Sequence, residues 1–274
     1  MPPISHAQLA TTQISVINES TVLTDAEVIP VVAALQQQVT NDFRPVWGTD
    51  AELKMIPQGA QPLNGSWWLV ILDDSDQAGA LGYHDLTPDG LPMGKVFAAS
   101  DLKSGTSWSV TASHELLEML ADPNINLTVF VQNANAAGML YAYEVCDACE
   151  DDSFGYPMNN ILVSDFVYPA WFESFRLQGS TQFDRCNVIQ SPLELVAGGY
   201  IGVFNVTDGS GWQQHTAEKH PTNLRHRGHV GSRRERRSVP HNLWLTSLPQ
   251  RKITNNSQQY RQHLQTILRK KPAA

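Results

Sequence analysis

Between Ser113 and Pro123 the chain reads SHELLEMLADP, which places one imidazole and three carboxylates within a short span. On a helix advancing about 100° per residue, with His114 at zero, Glu118 falls near 40°, Asp122 near 80° and Glu115 near 100°. Leu116, Leu117 and Leu120 fall on the opposite side, at about 200° to 300°, with Met119 near 140°. His114 and Glu118 are therefore one turn apart on one face, where an imidazole and a carboxylate can grip a divalent cation. Glu115 would point beside that cation, where a water needs a base. The competing expectation is that a histidine and several acids sharing a helix face are simply solvated.

This stretch resembles the active-site helix of the zincin metallopeptidases, whose H-E-x-x-H helix supplies two zinc ligands and a general-base glutamate. The resemblance implies that His114 is a ligand, that Glu115 is the base, and that Glu118 takes the second ligand position. Glu118 stands where the motif has histidine. An added anionic ligand makes the metal a weaker Lewis acid and favours a harder cation, so Ca2+ or Mn2+ joins Zn2+ as a candidate. Gluzincins take their third ligand from a glutamate well beyond the helix, and Glu144 in YAYEVCDACE lies 26 residues after Glu118. Asp122 is the nearest match to the metzincin layout, at a shorter spacing and without a preceding Gly. Glu144 is the preferred third ligand; Asp147 and Glu150 are alternative ligands or support the ligands from outside. In the same family an edge strand beside the active helix pairs with an extended substrate, and here Leu81, Gly82, Tyr83 and His84 are its candidates. Pairing of that kind binds a peptide through its main chain.

The elements that must position these residues are readable from period and punctuation. Residues 12–18 alternate as a strand, and TDAEVIPVVAALQQQV comes next as a helix with a Thr24/Glu27 capping box. Strands are expected over 52–56, 66–72, 79–84 and 93–99, each bounded by turn residues. The motif helix runs from about Ser107 to Ala121 and stops at Asp122-Pro123. Further strands are expected over 127–132, 139–146 and 198–206, and a strand mixed with aromatic residues over 160–175. This order predicts an α+β domain, a mixed twisted sheet with a backing helix and an active-site helix. It resembles the N-terminal subdomain of the zincins over about residues 12–150.

Charge divides the chain into an acidic body and a basic end. Residues 1–214 carry 6 Lys/Arg against 25 Asp/Glu, and residues 215–274 carry 13 Lys/Arg against 2 acids. The expected organisation is an acidic zincin-like domain over 1–214 and a basic partner-binding tail over 215–274, ending in an amphipathic helix around Tyr260, Leu264, Ile267 and Leu268. The tail could anchor a protein partner or self-assembly. Nucleic acid is a lesser candidate, because interleaved aromatics and a reading module are missing. No apolar run is long enough to span a membrane, and no secretory signal is visible, so a cytoplasmic or particle-associated protein is expected. Three cysteines (Cys146, Cys149 and Cys186) do not make a disulfide framework, and the lone C-x-x-C has no second pair to complete a zinc knuckle. Tyr143 and Tyr168 are candidates to stabilise an oxyanion. Two functions are carried forward. One is a metal-dependent peptidase hydrolysing peptide bonds with Glu115 as base. The other is a catalytically inactive structural or assembly protein, for example of a virion, held through its tail.

Overall fold

A computed structural model describes residues 11–76, 80–87, 89–132, 138–207 and 211–217. The expectations for the tail beyond Ala217, the basic arm and the terminal helix among them, lie outside the described residues. Strands β1 (Thr12–Asn18), β2 (Ala51–Ile56), β3 (Trp67–Leu72), β4 (Gly82–Leu86) and β5 (Pro92–Phe97) form one mixed sheet in the order β2-β1-β3-β5-β4. The first, second, third and fifth strands run parallel; β4 lies antiparallel to β5 at the edge. Parallel strands covered on both faces read as near-continuous apolar runs, which is why WWLVIL and the fully buried β5 sit at the centre.

Helix α1 (Asp25–Gln38) begins at the predicted capping box: the Thr24 backbone N–H donates to Glu27 Oε2 at 2.7 Å. Pro30 is exposed and near the start, so the helix passes through it unbroken. A π-helical turn over Val39–Phe43 leads into α2 (Arg44–Trp47), which Gly48 ends in the left-handed conformation. After the sheet come α3 (Ala98–Ser104) and α4 (Trp108–Ala121), the motif helix. Both long helices pack on one face of the sheet. Val28, Val32 and Leu35 of α1 and Leu116, Leu117 and Leu120 of α4 share a core with Ile14, Val16, Leu69, Ile71 and Val96. The other face holds a smaller cluster, Ile17, Ile56, Val70 and Met93. The architecture is thus mixed α+β.

A second sheet, wholly antiparallel, has the order β11-β10-β7-β6 and comprises β6 (Thr128–Gln132), β7 (Gly138–Ala142), β10 (Tyr200–Asn205) and β11 (Trp212–Thr216). Between its hairpins lies the short pair β8 (Tyr156–Met158) and β9 (Ile161–Val163). β11 runs through residue 214 to Thr216, so the sheet continues past the point where the charge changes sign. Among the described residues no helix is long and apolar enough to cross a membrane.

Three elements depart from expectation. The strand predicted over 79–84 begins at Gly82, because the antiparallel register sets His84 against Gly94; Leu81 extends the ladder only through its carbonyl, which accepts from Phe97 N at 2.9 Å. The strand predicted over 93–99 gives way at Ala98 to α3, since Ala99 N and Ser100 N turn away to donate to the Asp73 carbonyl. The strand predicted over 139–146 ends at Ala142, and residues 143–150 leave the sheet to run back to α4.

Candidate metal centre

Helix α4 is buried on nearly every side, its polar arc included. His114 is 7% exposed, Glu115 6% and Glu118 3%, which excludes a solvated face. Two elements cover the arc. On one side lies β4, whose Gly82 and His84 share the face turned toward α4. On the other lies the segment that leaves β7 and carries Asp147 at the start of a 3-10 turn over Asp147–Cys149. Cys146 N donates to Glu118 Oε1 at 3.2 Å, which ties that segment directly to the helix.

The glycines of the sheet make the fit possible. A Cβ on Gly82 would lie 2.7 Å from Thr111 Cγ2 and 2.8 Å from Glu115 Oε1; one on Gly94 would lie 2.8 Å from Leu69 Cδ1 and 3.4 Å from Glu115 Cβ. Glu115 therefore rests over a gap in the sheet that any side chain would fill. The helix is held at this depth by polar ties: Asp101 Oδ1 accepts from both Thr106 and Thr111 hydroxyls, and Ser113 Oγ donates to Gln38 Oε1 at 2.6 Å.

Two sets of donors converge. His114 Nε2 lies 3.4 Å from Glu118 Oε2 and 3.2 Å from Asp147 Oδ1. His84 Nδ1 lies 3.2 Å from Glu115 Oε2 and 3.4 Å from Glu118 Oε2. In each set one donor atom per residue falls within 4.8 Å of the others, and Glu118 belongs to both. Burial alone would lower the affinity of His114 for a proton. The Glu118 charge, together with hydrogen bonds to Asp147 and Glu118, outweighs it and holds the imidazole well above the ordinary histidine value. The surroundings thus favour positive charge at this point. Donors about 2.0 to 2.1 Å from a tetrahedral cation are separated by about 3.3 Å, so the spacings of both sets fit a divalent ion, and imidazole with carboxylate suits several such ions.

The predicted site residues fall into three groups. His114, Glu118 and Asp147 come together, with Glu115 beside them. Asp122 is used elsewhere: its two oxygens accept from Asn126 N and Leu127 N at 3.0 and 2.9 Å, closing the loop after α4. Glu144 is buried but belongs to neither converging set, so Asp147 occupies the place expected of it. Glu150 lines a small pocket together with Asp151, Asp152, Leu81, Gly82, Thr111, His114 and Glu115. Tyr143 packs between Trp47 and Phe172, and Tyr168 against Phe166. Cys146 and Cys149 are buried free thiols. Sequence reasoning marks His84 only as part of an edge strand; the alternation of β4 places it with Gly82, and that period is the available sign that it faces the helix.

No family model, curated protein or solved structure matches the chain.

Proposed function

We propose that the protein is a zincin-like, metal-dependent peptidase. The observation that carries this reading is the meeting of His114, Glu118 and Asp147, all buried and within 4.8 Å of one another, beside Glu115, which with His114 lines a small pocket. A divalent cation held by those three residues would supply Lewis acidity to polarise a carbonyl and would acidify water. His114 and Glu118 offer ligand atoms from adjacent turns of one rigid helix, and Asp147 approaches from a segment anchored to Glu118 through Cys146 N. Glu115 removes a proton from the attacking water and returns it to the leaving amine. His84, 3.2 Å from Glu115 Oε2, holds that carboxylate in one orientation and acts as a positioning residue.

The surrounding architecture supports a peptide as substrate. β4 is the edge of the first sheet, antiparallel to its neighbour and packed beside α4, and Leu81 and Gly82 at its start line the same small pocket as His114 and Glu115. An extended chain could add to that edge through main-chain hydrogen bonds. Glu150, Asp151 and Asp152 line the same pocket, which gives it an acidic character that basic groups would complement.

Metal analysis of the purified chain, with turnover of a mixed peptide pool, tests the reading. The expected result is bound divalent metal that is lost in His114→Ala and in Glu118→Ala, and peptide cleavage that is lost in Glu115→Gln while metal at His114 is retained. Equal metal content in wild type and both ligand variants would overturn it.

A further inference from the structure

The second set of donors, His84, Glu115 and Glu118, shares only Glu118 with the first, yet it too joins one imidazole to two carboxylates at the same spacing. We infer that the site takes two divalent cations side by side, one held by His114, Glu118 and Asp147 and the other by His84, Glu115 and Glu118, with the Glu118 carboxylate between them. This rests on the reading of the first set as a metal site and extends it.

Glu118 Oε2 lies 3.4 Å from His84 Nδ1 and 3.4 Å from His114 Nε2, so a single carboxylate faces both imidazoles. Each imidazole in turn meets a second carboxylate at 3.2 Å, Glu115 in one case and Asp147 in the other. The three acids are 3% to 6% exposed. Such buried anions are costly unless matched, and three carboxylates exceed the charge of one divalent ion by one. Gly94, opposite His84 in the ladder, leaves the room in which Glu115 and His84 meet. Carboxylate-bridged ions of this kind sit about 3.5 to 4 Å apart. When the second position is filled, Glu115 is a ligand and cannot serve as a base, so loading of that position and proton transfer by Glu115 exclude one another.

Mn2+ titration of the full chain, read by metal content and by electron paramagnetic resonance, tests this. Wild type is expected to bind two Mn2+ per chain with an exchange-coupled signal, while His84→Gln binds one with an uncoupled signal. One Mn2+ in both proteins, or two uncoupled Mn2+ in wild type, would each overturn the paired site and leave the first site standing. No Mn2+, Zn2+ or Ca2+ in wild type would overturn the metal reading itself. The wild-type signal needs no variant, so misfolding of His84→Gln does not obscure the answer.

Discussion

Asp147 and Glu144 are three residues apart and both buried, and Asp147 Oδ1 lies 3.2 Å from His114 Nε2. The backbone sets the two apart. Glu144 sits just past the end of β7, whereas Asp147 opens a 3-10 turn that directs its carboxylate at the helix. Asp147→Asn should therefore weaken metal binding at least about tenfold, the scale on which even outer partners of a metal ligand act. Glu144→Gln should leave that affinity within about twofold. Isothermal titration of both variants with Zn2+ checks this, and the reverse order would restore Glu144 as the third ligand. Away from the site, Asp165 is a second residue with a readable consequence. Burial, and then the neighbouring Asp184 carboxyl, push its pKa from near 3.8 up to about 8. An acid held protonated in the folded chain stabilises it fully below the unfolded value. That contribution is lost as pH rises from about 4 to about 8, with a slope of at most about 1.4 kcal/mol per pH unit. Asp165→Asn can still accept from Phe166 N and Cys186 N through its carbonyl oxygen. Urea unfolding at pH 5 and pH 8 should show a smaller difference in the variant than in wild type; an unchanged difference would remove Asp165 as the source.

At the scale of elements, the closeness of β4 and α4 is what gives the site its form. Helix α4 lies against two strands whose facing residues at Gly82 and Gly94 have no side chain. A larger residue at Gly82 would press on Thr111 and Glu115 of the helix, and one at Gly94 would press first on Leu69. Gly82→Ala puts a methyl 2.7 Å from Thr111 Cγ2 and 2.8 Å from Glu115 Oε1, so overpacking should cost about 1 to 3 kcal/mol. Because the nearest atoms to Gly82's added carbon belong to Thr111 and Glu115, the variant is expected to lose peptide turnover while keeping its first cation. Full turnover with normal metal content would show that Glu115 need not be held where it is. The ends of α4 were predictable for the same local reasons that make it a helix. Asp122-Pro123 stops it, and the Asp122 side chain then closes the following loop.

For the whole molecule, a cation held among the buried carboxylates as proposed would make stability depend on it. A ligand that binds only the folded chain stabilises it by about 4 kcal/mol at a thousandfold excess over Kd. Removal of metal by a chelator should lower the Tm by several degrees, and Zn2+ or Mn2+ should restore it. A Glu118→Ala chain should show no such response. Calorimetry with and without chelator decides it, and an identical Tm in wild type would count against any tight metal site.

Period and punctuation were enough to place β1, α1 with its capping box, β2, β3 and α4 within a residue or two, because local sterics and the alternation of apolar residues act at short range. They were also enough to order His114, Glu118 and Glu115 around one helix face. They did not reveal α3, whose Ala98-Ala99 start continues the apolar run of β5; the turn comes from hydrogen bonds to Asp73, a residue distant in sequence. Nor could they say whether the polar arc of α4 meets water or protein, since a helical period defines a face and not what lies opposite. The alternating register of β4 and β5, which brings His84 to Glu115 and Glu118, and the return of residues 143–150 to the helix were decided only by packing. Sequence by itself determined which groups share a face; tertiary structure decided which groups from elsewhere meet them, because convergence of segments far apart in the chain depends on long-range pairing and on the space that small residues leave.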